Sequence, residues 1–426
     1  MPGRKYQPRR IAAWLLNLLA RPARRAQGRQ GVAVEAYRGY GSAEEIFLIG
    51  RVFRQARAER DAAPDDLRAH LRDIGRRIRR RRMPGIGVTA RYDGTALRTA
   101  TDADGYFRIH LYPHSPSGGG GAWRPVAITL DTSPPVEARG EVYIPPDGCR
   151  YVVISDIDDT VMHTGVANKL KMLWRLFVAD AADRVAFPGA ASLYRALHAG
   201  TGGGEQNPML YVSRAPWGIY DMLSEFFHLH GIPVGPVLFL REWGVSWRHP
   251  LPRRAEAHKG ELIRHMLALY RDLPFVLIGD SGQHDPEVYA GIVEENPGRV
   301  LAVYIRNVSR TPGRLAEVEA LALNVAAAGS SLVLAADSRA IAAHAASLGL
   351  IAAEAVEEVA SENAGAGGGV GRSRSHRITR ATPEATAAAV EGGALGEAMK
   401  EAVGDPPNVI VEPAQHGRAR PTHTQT

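Results

Sequence analysis

The run Tyr151-Val-Val-Ile-Ser-Asp156-Ile-Asp158-Asp159-Thr160 sets three carboxylates directly behind an apolar, β-branched stretch. Such a strand is cheap to bury between two layers, whereas acids at its end are costly unless they face a crevice and a cation. Side chains alternate along an extended chain, so Asp156 and Asp158 point into one crevice while Ile157 turns back into packing. Two carboxylates that close raise each other's pKa unless a divalent metal holds them or one works protonated. One is then placed to attack an electrophile such as phosphorus, and the other to protonate the leaving oxygen and later activate water. An acidic turn or a non-catalytic metal site is the competing reading of the same residues. Asp159, with the opposite alternation, suits a turn cap as well as it suits chemistry.

Three further stretches carry groups that complement this pair. Tyr211-Val-Ser213-Arg214-Ala-Pro216-Trp217 ends a strand on a hydroxyl, which either donates to an anion or caps the helix that follows. His258-Lys259-Gly260 places an ammonium in the first turn of a helix, where it reaches a phosphate across a crevice or faces solvent. Leu277-Ile-Gly279-Asp280-Ser281-Gly282-Gln283-His284-Asp285-Pro286-Glu287 repeats the design of a buried strand ending in an acid.

In this order, the four stretches resemble the motifs of the haloacid-dehalogenase-like phosphohydrolases. Ser155-Asp156-Ile-Asp158-Asp159-Thr160-Val161-Met162-His163-Thr164-Gly165-Val166 is similar to the narrower catalytic domain of phosphatidate phosphatases of the actin-patch-associated type. The resemblance implies that Asp156 is the nucleophile taking the phosphoryl group and that Asp158 is the general acid and base. It implies that Ser213 bonds a phosphoryl oxygen and that Lys259 neutralises phosphoryl group and nucleophile. Magnesium would be held by Asp156, by the main chain of Asp158 and by Asp280, with Asp285 assisting. The implied substrate is phosphatidate, yielding diacylglycerol. Another phosphomonoester, soluble or on a protein, is the alternative within enzymes, and a non-catalytic basic protein binding a membrane surface is the alternative outside them.

The chain has 426 residues, 45% of them apolar, enough for two or three domains with their own cores. A net charge of +7 favours anionic partners. Neither a recognition-helix pattern nor aromatics interleaved with basic residues points to nucleic acid, and no protein partner can be read. The single cysteine, Cys149, rules out an intramolecular disulfide framework and fits a reducing, cytoplasmic location, peripheral at the inner membrane surface.

The organisation expected is a basic segment over 1–35, a β-rich accessory domain over 36–148, a phosphatase domain over 149–360 and a disordered tail over 361–426. Residues 1–30 carry eight Lys or Arg and no acid around a ten-residue apolar stretch too short to span a bilayer. On a helix, Ile11, Trp14, Leu15, Leu18 and Leu19 share one face, suited to an anionic membrane or to packing on the protein itself. Strands near 45–53 and 85–92, a turn feeding a strand over 102–111, and further strands near 125–130 and 136–144 predict a small β-sandwich-like domain. A helix over 59–83 ends in Arg76-Arg77-Ile-Arg79-Arg80-Arg81-Arg82, a solvated surface or a headgroup patch. Asp102-Ala-Asp104-Gly105 reads as a tight turn rather than a calcium loop. From 151 on, strands and helices alternate at the spacing of an α/β, doubly wound parallel sheet, with an apolar helix over 169–178 where a small cap inserts. The Gly- and Ala-rich stretch after 361, with its Arg-Ser run, has the composition of disorder.

Overall fold

The computed structural model describes residues 27–29, 31–54, 81–114, 121–157, 189–213, 220–229, 231–239, 255–308, 312–366, 376–380 and 408–412. The amphipathic segment 4–25, the helix expected over 169–178, residues 59–80 of the helix expected over 59–83, and Asp158 lie outside these; the end of that second helix is corrected, because Arg81–Arg82 is extended and pairs as a strand with Phe53 and Arg54.

The N-terminal part is a ten-stranded sheet: β1 (Gln27–Arg29), β2 (Val32–Ala36), β3 (Gly39–Gly41), β4 (Ile46–Arg54), β5 (Arg81–Arg82), β6 (Gly87–Tyr92), β7 (Thr95–Ala100), β8 (Tyr106–Leu111), β9 (Trp123–Leu130) and β10 (Val136–Tyr143). Its path runs β1-β2-β4-β3-β10-β9-β6-β7, with β5 and β8 also pairing with β4. All pairings are antiparallel except that of β3 with β10. Burial alternates along β6, β8 and β9, so each strand offers one face to a core of Val34, Leu48, Val88, Phe107, Ile128 and their neighbours. The sheet begins before residue 36, because Val32-Ala-Val-Glu-Ala36 pairs along β4. A five-residue strand of this kind, buried at its three central residues, carries too little alternation to stand out in the sequence.

The second sheet comprises β11 (Val152–Asp156), β12 (Met209–Ser213), β13 (Val237–Phe239), β14 (Phe275–Asp280), β15 (Val300–Arg306), β16 (Ser331–Ala335), β17 (His376–Arg380) and β18 (Asn408–Glu412). The order is β13-β12-β11-β14-β15-β16-β18-β17. From β13 through β16 every pairing is parallel, and β18 joins β16 antiparallel, so the sheet is mixed. β11, β12, β14 and β16 are buried at every residue, as strands covered on both faces must be.

The helices α1 (Ala190–Ala199), α2 (Tyr220–Leu229), α3 (Ala255–Leu269), α4 (Asp285–Glu295), α5 (Pro312–Ala327), α6 (Ser338–Ser347) and α7 (Ala355–Ala366) provide that cover. One core joins α3, α4 and α5 to Val152, Ile154, Leu277 and Ile305. The other joins α1, α2, α6 and α7 to Val153, Val276, Ile278 and Tyr304. From β11 the chain runs outward to β12 and β13 and then returns to the other side of β11 through β14, β15 and β16. A crevice opens at such a reversal, beyond the C-terminal ends of the two strands that flank it.

Three segments differ from the disordered tail expected over 361–426: α7 continues to Ala366, and two strands lie beyond it. Asn408-Val-Ile-Val-Glu412 pairs with β16, burying Ile410 and Val411, and His376–Arg380 pairs with it in turn. The short apolar alternation of 408–412 is enough to cover an open edge.

The two parts touch through the turn after β2. Tyr40 packs in the core on the α3–α5 side and Tyr37 in the core on the α1–α2 side. The Arg38 N–H donates to the Tyr220 hydroxyl at 3.0 Å, and the Tyr143 hydroxyl donates to the Gln206 carbonyl. Cys149 lies buried near this junction with its thiol pushed up to about 12 by burial, and is free. No helix among the described residues is long and apolar enough to cross a membrane; strands crossing as a barrel are a separate matter.

Candidate active site

Parallel register fixes where the polar residues emerge. Asp156 pairs with Val212, so Ser213 lies one residue farther along β12; Ser155 pairs with Ile278, which carries Asp280 just past the end of the β11–β14 ladder. All three therefore reach the same edge of the sheet, at the reversal of strand order. Alternation sends Val152, Ile154 and Asp156 to the face covered by α3 and α4, while Ile157 packs into the opposite core. Those two helices supply the remaining groups.

Lys259 leaves the first half of α3 and is only 1% exposed. Its Nζ lies 3.1 Å from Asp156 Oδ2 and donates to Asp285 Oδ1. Asp285 opens α4, where the unpaired N–H groups of the first turn and the helix dipole favour an acid. Its Oδ2 accepts the Asp280 N–H at 3.2 Å, and Asp280 Oδ1 accepts the Gly282 N–H at 2.8 Å. Gly279 makes the approach possible, since a Cβ there would lie 2.4 Å from Asp285 Oδ2. Asp156, Asp280 and Asp285 each bring one carboxylate oxygen to within 4.8 Å of the others, and all three are buried.

Burial alone would lower the Lys259 pKa, but the Asp156 and Asp285 carboxylates outweigh it and hold the ammonium protonated above its usual range. The Tyr289 phenol is raised by burial first and then by the field of Asp285, Asp156 and Asp280. Lys259 pairs with two of the three clustered carboxylates, Asp156 and Asp285, and three carboxylate oxygens gathered this closely can hold a further cation. An all-oxygen carboxylate set fits a hard divalent ion such as magnesium rather than a soft metal.

The structure thus brings together Asp156, Asp280, Asp285 and Lys259 and puts Ser213, 3% exposed, on the same edge. Asp158 lies outside the described residues. Two arginines were not anticipated. Arg306, opposite Asp280 on β15, donates to the Asp156 carbonyl at 3.4 Å. Arg314 on α5 braces the loop after Asp280, donating to the carbonyls of Ser281 and Gln283 and pairing with Glu287. Arg306 was findable, because like Asp156 and Asp280 it is a charge ending an otherwise apolar strand. Arg314 carries no comparable signal.

Residues 151–307 match the family model described as "Phosphatidate phosphatase APP1, catalytic domain". The chain is 30% identical over 193 residues to the phosphatidate phosphatase APP1 of Saccharomyces cerevisiae, across 44% of this chain and 31% of the yeast protein. It is 27% identical over 156 residues to an uncharacterized protein of Schizosaccharomyces pombe, across 37% of this chain and 25% of that one. It therefore spans between a quarter and a third of the length of these relatives. A solved carbohydrate acetylesterase from Xanthomonas citri aligns over 68% of this chain and 71% of its own, at 12% identity and a TM-score of 0.22, which carries no argument about fold.

Proposed function

We propose, from the match of residues 151–307 to the catalytic-domain family of the phosphatidate phosphatases, that this chain is a magnesium-dependent phosphatidate phosphatase working through an aspartyl-phosphate. The observation that carries the reading is the buried Asp156, Asp280 and Asp285 cluster, closed on one side by Lys259, at the reversal of strand order. Asp156 Oδ attacks the phosphorus of the monoester, the bond from phosphorus to the lipid oxygen breaks, and Asp158 protonates that oxygen so that diacylglycerol departs. Asp158 then removes a proton from water, which attacks the phosphorus and frees Asp156 and phosphate. Lys259 offsets the charge gathered on Asp156 and on the phosphoryl oxygens, while Ser213 donates to one of them. Asp156, Asp280, Asp285 and the main chain of Asp158 would hold a magnesium ion, which when bound would screen the charge on the transferring group.

The haloacid-dehalogenase-like naming of the α/β part, the sandwich-like naming of the β-rich part and the division between them at 148 belong to the same proposal. The family premise and the basic charge favour phosphatidate over a soluble substrate. The test is phosphate release from phosphatidate in mixed micelles and from p-nitrophenyl phosphate, with magnesium and with chelator. Magnesium-dependent release from phosphatidate at the higher kcat/KM is expected; turnover of the soluble ester alone would retain the chemistry and discard the lipid, and indifference to chelator would discard the metal.

A further inference from the structure

The other concentration of charge lies on the N-terminal sheet, and strand register places it. Antiparallel pairing of β4 with β5 sets Arg54 directly opposite Arg81. The same row continues through Val32 on β2 to Arg29 on β1. Directly opposed residues in a ladder share one face of the sheet, so Arg54 and Arg81 project to the same side. Like charges so placed repel, and an acid or neutral residue across from each would be the stable choice. Both arginines are exposed, and among the described residues neither meets a carboxylate; the ion pair at this corner is that of Arg82 with Asp104. With Arg82, Met83, Pro84 and Ile86 they line an open cavity of about 320 Å³.

We propose that Arg54 and Arg81 form a phosphate-binding site, separate from the carboxylate cluster, that docks the protein on anionic phospholipid. Two planar guanidiniums match the oxygens of a phosphodiester or monoester, and such a ligand relieves the repulsion between them. Met83, Pro84 and Ile86 give the cavity an apolar flank, which suits a headgroup attached to hydrocarbon better than a fully hydrated ion. The preference for a lipid surface over free phosphate rests on the proposed phosphatidate phosphatase reading. The Arg54 and Arg81 pairing itself is independent of that reading.

The test is co-sedimentation of the full chain with phosphatidylcholine vesicles, with or without phosphatidylserine, an anionic lipid that is not a phosphomonoester and does not engage the catalytic cleft. R54Q/R81Q should lower partitioning onto the phosphatidylserine vesicles by roughly tenfold or more, taking a few-fold per arginine. Its turnover of p-nitrophenyl phosphate should match the parent's, and its melting temperature should be equal or higher because a repulsive pair has gone. R91Q/R98Q removes the same net charge elsewhere on the sheet and should lose far less. Equal losses in the two double variants would reduce the effect to net charge and overturn the proposal, as would unchanged vesicle binding by R54Q/R81Q. Binding of the parent abolished by millimolar inorganic phosphate would assign the site to the free anion and overturn the docking role. Docking through the pair by a protein that leaves phosphatidate intact would overturn the proposed substrate while keeping the site.

Discussion

The sequence twice sets two aspartates one residue apart, in Asp102-Ala-Asp104 and Asp156-Ile-Asp158, and the first members, Asp102 and Asp156, meet opposite fates. Asp102 is exposed and spends its carboxylate locally: Oδ1 accepts the N–H groups of Asp104 and Tyr106, each at 2.9 Å, and Oδ2 accepts from Arg108 at 3.0 Å. Asp104 pairs with Arg82 at the surface. Asp156 is 3% exposed and faces Lys259 within a cluster of three buried carboxylates. What precedes each pair accounts for the contrast. A strand buried on both faces has no solvent to offer the acid at its end, whereas a turn between one-sided strands leaves its acids in water. Buried carboxylates gathered at one point, rather than spent singly on a turn, mark a place where stability has been given up for chemistry.

The sharpest way to break this contrast is Asp156→Asn. Loss of the nucleophile should cut turnover at least about a thousandfold and abolish the phosphoryl adduct, while the melting temperature stays near that of the parent because shape and hydrogen-bonding capacity persist. Asp102→Asn should leave turnover unchanged. Equal turnover of Asp156→Asn and parent, measured on p-nitrophenyl phosphate, would end the assignment.

Next in size is Lys259→Met. It removes the 1%-exposed ammonium between two buried carboxylates, and breaking a buried pair from one side costs about 3–5 kcal/mol. Urea unfolding should register that loss in metal-free buffer, and part of it should return with saturating magnesium. A change below about 1 kcal/mol would place Lys259 among ordinary surface pairs.

The two pairs also explain what could be read from sequence. Fully apolar strands such as Val152–Asp156 and Phe275–Asp280 leave no choice but burial on both faces, so the parallel sheet and its acidic ends were legible. Lys259 was less so, since the pattern of α3 does not say that its ammonium turns inward; only the alternation that sends Asp156 to the α3 side decides that. The bracing by Arg314 depends on a contact 27 residues from Glu287 that no local pattern encodes. The strand at 408–412 was hidden by its Gly- and Ala-rich surroundings, and its partner β16 is what makes an apolar alternation of five residues worth pairing.

Asp280→Ala sharpens the contrast from the metal side. It removes one of three converging oxygens but spares Asp156, so activity should fall about 10- to 100-fold and recover partly with excess magnesium. Titration of magnesium by calorimetry, independent of turnover, should show the weakened affinity. Unchanged affinity would confine Asp280 to its hydrogen bond with Gly282.

The smallest effect belongs to the exposed pair. Asp102→Ala removes the acceptor for two backbone N–H groups that close the turn into β8, together with a surface pair to Arg108. Those N–H groups can turn to water, so the loss should be about 1 kcal/mol, most of it from the turn and little from the exposed ion pair. Asp102→Asn keeps an oxygen at the Oδ1 position and should recover most of that stability without restoring the charge. Thermal unfolding of the two variants separates turn from charge: equal losses in Ala and Asn would show that the carboxylate's charge matters at the surface as well, and the distinction between the buried Asp156 and the exposed Asp102 would then rest on chemistry alone.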